Sequence, residues 1–295
     1  EGAGAIVLKS IFEEQIITET NKESGALDVS AHTEALEYIN RMSFEHNVQE
    51  YLKFIEETKK SISVPLIASL NCSSTGKWSD FAKRIENAGA DALELNIFLL
   101  PDSLEVRSEE IEKKYVEILK HVKSMIKIPV GVKLGYLFTN VGNVVKRLDE
   151  AGADSIILFN RFQTVDVNDE EIDSPSFEEG KWLSVPEEKS LTKRWISKLY
   201  SRVKCDLSAT SGIRTGKDIL EQIQYGANVV QIASAIYLNG TKYIKELEKQ
   251  LLDVLNSSEV ESIDKIRGVF SEEALNKPTS TRDMYFKAIS ALNKF

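Results

Sequence analysis

Cysteine and histidine are scarce. Two cysteines, Cys72 and Cys205, stand far apart in 295 residues, and His32, His46 and His121 share no ligand-like spacing. That scarcity excludes a disulfide framework and a cysteine or histidine metal knuckle, and it fits a reducing, cytoplasmic setting. Basic residues are not in excess: 37 Lys and Arg against 46 Asp and Glu give a net charge of −9. A surface that binds nucleic acid needs clustered Lys and Arg, so no nucleic-acid partner is expected. Long apolar runs are missing too. Ile156–Phe159 falls far short of the roughly 20 residues that cross a bilayer, and no charged-then-apolar signal opens the chain, so no membrane partner is expected.

What is present is a repeated phrase. Glu86-Asn87-Ala88-Gly89-Ala90-Asp91 runs into Ala92-Leu93-Glu94-Leu95-Asn96, and Glu150-Ala151-Gly152-Ala153-Asp154 runs into Ser155-Ile156-Ile157-Leu158-Phe159-Asn160. Gln224-Tyr225-Gly226-Ala227-Asn228 runs into Val229–Ser234, and Gly2-Ala3-Gly4-Ala5 runs into Ile6-Val7-Leu8-Lys9-Ser10. The glycine ends a helix in the left-handed conformation, and the small alanine lets the turn pack closely. The apolar run without strict alternation reads as a parallel strand buried on both faces. Two more strands, 63–70 and 127–134, carry Pro65 and Pro129 at their entrance, and another fits 205–210. Amphipathic helices fit near 45–60, 77–87, 106–124, 140–150, 190–202, 216–225 and 242–255.

Seven strands alternating with helices read as a (β/α)₈ TIM barrel whose first βα unit lies upstream of residue 1. An open doubly wound sheet is the alternative. The expected organisation is one barrel domain over 1–256, with insertions near 11–45 and 160–190. Residues 257–295 are expected to form a helical extension packed on it.

In a barrel, the C-terminal ends of the strands converge on one mouth. Lys9, Ser10, Asn71, Glu94, Asn96, Lys133, Asn160, Thr210-Ser211-Gly212 and Ser234 close the apolar runs. A lysine within a buried strand needs an anionic partner. Lys9 and Lys133 are therefore either functional cations or members of structural ion pairs, Glu94 being a candidate partner. The small residues of 209–216 and 233–236 either pack tight turns or aim backbone N–H groups at a phosphate.

These residues together resemble the dihydroorotate dehydrogenase family of FMN-containing barrels, in its divergent branch. The resemblance rests on Ala5–Ser10, Asn40-Arg41-Met42, Ala88–Asn96, Ile128–Leu134, Ala151–Asp154, Thr210–Gly216 and the run from Gly226 to Ala235. It implies FMN as cofactor, a homodimer, and a small cyclic anion such as dihydroorotate as substrate, in pyrimidine biosynthesis. By the same resemblance Lys9, Ser10, Asn71, Asn96 and Lys133 would lie at the flavin, and Ser211, Gly212, Ala233 and Ser234 at its phosphate. Asn40, Asn96 and Asn160 would hold the substrate, with Lys9, Lys133 and Asn96 the catalytic set.

The chain departs from that family at one place that matters. Dihydroorotate oxidation sends a hydride from one carbon to the flavin while a base takes the proton from its neighbour. The family's Cys or Ser base falls three residues after the asparagine matching Asn96, and Leu99 stands there; a one-residue insertion gives Leu100. Asp102 and Ser103 are the nearby substitutes. Ala209, Ser211 and Ala233 also replace usual glycines. A barrel that binds flavin or phosphate without turnover, and a Schiff-base enzyme using Lys133 or Lys9, are therefore competing readings. The acidic residues at 166–173 read as a solvated face rather than a metal site.

Overall fold

The structure, a computed structural model, describes residues 1–12, 48–72, 78–99, 103–161, 183–258, 260, 262–276, 282, 286–287 and 289–290. The chain divides into two compact units, Glu1–Phe162 and Gln163–Phe295.

The first unit is a parallel sheet with helical connections. Its elements are β1 (Ile6–Val7), β2 (Ile11–Phe12), helix α1 (48–61), β3 (Leu66–Cys72), α2 (Trp78–Asn87), β4 (Ala92–Ile97), α3 (Ser108–Met125), β5 (Val130–Leu134), α4 (Val141–Glu150) and β6 (Ser155–Leu158). β1 and β2 both pair with β3, which pairs with β4, then β5, then β6, all parallel. Side chains alternate across each strand. One face carries Leu66, Leu70, Leu93, Leu95, Val132 and Ile156, all fully buried. The other face carries the polar residues, in two rungs set by the register. Ser69, Glu94, Gly131 and Ser155 align across four strands, and Asn71, Asn96, Lys133 and Ile157 align one step nearer the C-terminal ends.

The repeated phrase has a function beyond its turn. Asp91 Oδ2 accepts from the N–H of Leu66 at 2.7 Å while its own N–H donates to the carbonyl of Leu66 at 2.8 Å. Asp154 does the same to Val130, at 2.7 and 2.9 Å, and Asn228 to Leu207, at 3.0 and 2.8 Å. These three phrases thus fasten the start of their own strand to the start of the preceding one, satisfying a backbone donor that the ladder leaves open. Lys59 and Lys123 complete two of these sites, at 2.5 Å from Asp91 and 2.6 Å from Asp154. The Lys59 ammonium holds the Asp91 carboxyl below the usual carboxylate range.

The second unit contains a 3₁₀ turn (Pro186–Glu188), α5 (Lys189–Leu199), β7 (Asp206–Ala209), α6 (Gly216–Tyr225), β8 (Val229–Val230), α7 (Ser234–Asn239), α8 (Tyr243–Ser257) and α9 (Ile263–Ile266). β7 and β8 pair in parallel. Among the described residues, the seven strands read from the sequence are all present if β1 and β2 count as one interrupted strand. Several bounds differ, among them these. Strand β3 starts after Pro65 and runs on to Cys72, enclosing Asn71. The last strand covers only Val229–Val230, because Ala233 caps a helix that begins at Ser234. The helix expected over 190–202 ends at Leu199. Within 257–295 the described residues include the short α9 and helical positions at 282, 286–287 and 289–290.

Candidate active site

The polar face of the first unit brings five of the expected residues together. Asn160 Nδ2 donates to Asn96 Oδ1 at 2.6 Å, Asn96 Nδ2 reaches Ser10 Oγ at 3.5 Å, and the hydroxyls of Ser10 and Ser69 lie 2.7 Å apart. Asn71 and Asn96 are buried. A buried amide both donates and accepts, so this chain presents donors and acceptors at fixed positions beside the strand ends. Lys133 Nζ donates to Glu94 Oε1 at 3.4 Å; the carboxylate side is 3% exposed and the lysine side 21%. The ion pair that the sequence offered as an alternative is therefore real for Lys133.

Lys9 behaves differently, and this corrects the sequence reading. It was expected within a strand of buried residues, but it is exposed and has no ion-pair partner among the described residues. The register explains why. Val7 faces Ile67 and Ile11 faces Leu70, so four steps on one strand match three on the other. The extra residue is a bulge, which re-aims side chains. It brings the Ser10 hydroxyl to Ser69 and turns Lys9 out. Tyr51 on α1 pins the bulge. Its hydroxyl sits 3.3 Å from the Lys9 carbonyl and 3.1 Å from that of Ser69, and it accepts from Ser69 N–H at 3.2 Å. Burial pushes the Tyr51 phenol up to about 12, so it stays a neutral donor at neutral pH.

The loop after β4 is apolar at the position where a base is expected. Leu99 is half-buried. The Tyr115 hydroxyl, pushed up to about 12 by burial, donates to the Ile97 carbonyl at 3.1 Å and fixes the loop's start. Ser103 is exposed, and its hydroxyl accepts from the Glu105 N–H at 3.2 Å. Asn40, Leu100 and Asp102 lie outside the described residues.

In the second unit, Ser211 and Gly212 both have positive φ, 74° and 73°, ahead of α6. A Cβ on Gly212 would lie 2.7 Å from both Lys189 N and the Val185 carbonyl, so only glycine lets the 185–189 backbone close on this turn. Ser234 is engaged by the same segment: its hydroxyl accepts from Ser184 N–H at 2.9 Å and lies 3.0 Å from Ser184 Oγ. The Arg214 guanidinium donates to the Ser184 carbonyl. Asp218 anchors the turn from below. Its carboxylate accepts from Arg214 N at 3.0 Å and Thr215 N at 2.9 Å and pairs with Lys189. Ala233 is exposed beside Ser234.

The family can now be assigned. The dihydroorotate dehydrogenase family model matches residues 2–255. The chain belongs to the dihydroorotate dehydrogenase family. It is 26% identical over 226 residues to the catalytic subunit of dihydroorotate dehydrogenase B (NAD(+)) from Thermoplasma volcanium, covering 76% of this chain and 72% of that one. The counterpart from Thermoplasma acidophilum is 26% identical over 272 residues, with 91% and 87% covered. Among solved structures, the dihydroorotate dehydrogenase of Eimeria tenella in complex with ferulenol superposes with a TM-score of 0.56 at 16% identity, over 80% of this chain and 68% of that one. That likeness carries the fold, which is the (β/α)₈ barrel type. Members of this family are FMN flavoproteins.

Each unit by itself carries donors of the kind that cofactor needs: the first has buried amides and a lysine at adjacent strand ends, and the second a left-handed Ser211–Gly212 turn. Sequence reasoning missed Ser69, Ser184 and Asp218. Ser69 was legible, as the inward residue two before Asn71. Ser184 was not, since only the fold brings it to Ser234. Among the described residues no cluster of three metal-ligating side chains occurs, and no helix is long and apolar enough to cross a membrane.

Proposed function

We propose that the chain is an FMN-dependent oxidoreductase of the dihydroorotate dehydrogenase type, acting on a small, cyclic, amide-bearing anion, with dihydroorotate the first candidate. The observation that supports it most is the linked set Asn160–Asn96–Ser10, with Lys133 in the rung of Asn96 and paired to Glu94 one rung below. Side chains locked by one another cost little to organise when a ligand arrives. FMN, when bound, would supply the hydride acceptor. Lys133 would stabilise negative charge that develops on it, while Asn71 and Asn96 would hydrogen-bond its ring. Backbone N–H groups of Ser211, Gly212, Ala233 and Ser234 would hold its phosphate. Asn40, Asn96 and Asn160 would orient the substrate ring. We place the enzyme in the cytoplasm as a homodimer, in keeping with its resemblance and its cysteine use.

A second reading has a specific observation behind it. Leu99 takes no proton, and Ser103 already accepts from the backbone. A barrel that binds flavin with altered or lapsed turnover follows if Asp102 does not serve as base. The Schiff-base reading is weaker for Lys133, because an ammonium paired with a buried carboxylate is not the free amine that imine formation needs.

The reading is tested by titrating the flavin-free protein with FMN and following fluorescence quenching. Saturable one-to-one quenching, weakened at least tenfold in Lys133→Ala, is expected on the order of one lost charged contact. No quenching in the unmodified protein would overturn it.

A further inference from the structure

We propose that Glu94 is a positioning residue that holds Lys133 in place and sets how much positive charge it offers to the flavin. The inference rests on the flavin reading above. Glu94 sits in the middle of β4, in the rung Ser69–Glu94–Gly131–Ser155, and is 3% exposed. Lys133 lies one rung nearer the strand ends, beside Asn96, and its ammonium reaches back 3.4 Å to Glu94 Oε1. The rung is closely filled on the far side of Glu94: a Cβ on Gly131 would meet Ser155 Oγ at 2.5 Å and Ile157 Cδ1 at 3.0 Å.

Stability is a poor reason for this arrangement. Burying a carboxylate carries a desolvation penalty of several kcal/mol, and well-packed apolar residues often replace buried ion pairs without loss. A specific charge partner beside the strand-end amides has a better reason in the chemistry of that end of the sheet. Glu94 draws the ammonium down toward the sheet and offsets part of its charge, so a ligand beside Asn96 meets a fixed and moderated cation. Lys9, exposed and without an ion-pair partner among the described residues, has no such control.

Two variants separate charge from position. Glu94→Gln keeps size and an acceptor for Lys133 but removes the negative charge. Glu94→Ala removes both. In the flavin-free protein, limited acylation followed by mass spectrometry reads the Lys133 amine directly, with Lys9 as internal reference. Labelling of Lys133 relative to Lys9 is expected to rise several-fold in Glu94→Ala. An unchanged ratio would show that Glu94 does not hold Lys133.

In the flavin-loaded protein, Glu94→Gln should favour reduced over oxidised FMN by on the order of tenfold, since one nearby negative charge is gone. For a two-electron couple that is a shift of about 30 mV toward positive potential. A role in folding alone would lower FMN content without moving the potential, and that result would overturn the proposal. Failure of the unmodified protein to take up FMN would sink the flavin reading itself, while the labelling ratio would still decide whether Glu94 controls Lys133.

Discussion

Asp218 is the residue on which the second unit's candidate phosphate turn rests, and replacing it with asparagine tests that directly. Its carboxylate accepts from the N–H groups of Arg214 and Thr215 and pairs with Lys189, and the residue is buried. Thr215 returns the contact, its Oγ1 accepting from Asp218 N–H at 3.1 Å, which closes a capping box on α6. Asparagine offers one acceptor oxygen in place of two, so at least one of these partners is lost, and its NH₂ faces a donor. Losing one bond to a charged acceptor costs about 1.5–3 kcal/mol, and stranding a partly buried lysine adds to it. Lys189 retains partial contact with water, with 25% of its side chain exposed, so the total is set at about 3 kcal/mol rather than the full cost of a broken buried pair.

Burial alone would push the Asp218 carboxyl up, but Lys189 and the N–H groups of Arg214 and Thr215 together hold it below the usual carboxylate range. A depressed folded-state value makes the contribution complete above the unfolded value of about 3.9. It is lost as pH falls through the lower folded value. Urea unfolding of the two proteins should therefore show a gap of about 3 kcal/mol that is flat from about pH 7 to pH 5 and closes only below about pH 4. Equal stability at neutral pH, or a gap already shrinking between pH 7 and 5, would refute the reasoning.

Two further predictions follow from backbone and packing. Gly131→Ala should destabilise by about 1–3 kcal/mol in urea unfolding, since its Cβ would press on Ser155 and Ile157; a neutral result would mean that the polar rung has slack. Ser211 is held at a φ of 74°, so Ser211→Gly should exceed Ser211→Ala in stability by about 1 kcal/mol, both having lost the hydroxyl. Equal midpoints for the two would argue against a left-handed turn.

The alternation of strands and helices was legible because glycine, alanine and an acidic or amide residue recur at the turns before β4, β6 and β8, and a proline marks the entrances of β3 and β5. The physical role of Asp91, Asp154 and Asn228 in tying neighbouring strands was not, because a side chain that bonds the preceding strand looks from sequence like any turn residue. Asn71, Asn96, Lys133 and Ser10 were found from their place at the ends of apolar runs, and the structure gathers them on one face. Lys9 was misread because a one-residue bulge shifts the inward face from Lys9 to Ser10, and nothing local in Ile-Val-Leu-Lys-Ser announces it. The last strand was read too long because Val229–Ala233 is apolar apart from Gln231, while Ser234 starts a helix that this pattern conceals. Ser184 depends on a contact across 50 residues, which no local pattern carries.

The most direct test is an anaerobic visible spectrum of the protein loaded with FMN, taken before and after dihydroorotate is added. The account predicts flavin bands that bleach on addition, with slower bleaching when Asn96 is replaced by alanine. Bands that persist would contradict dihydroorotate as the substrate and favour the altered or lapsed barrel, and a protein that takes up no flavin would contradict the central claim.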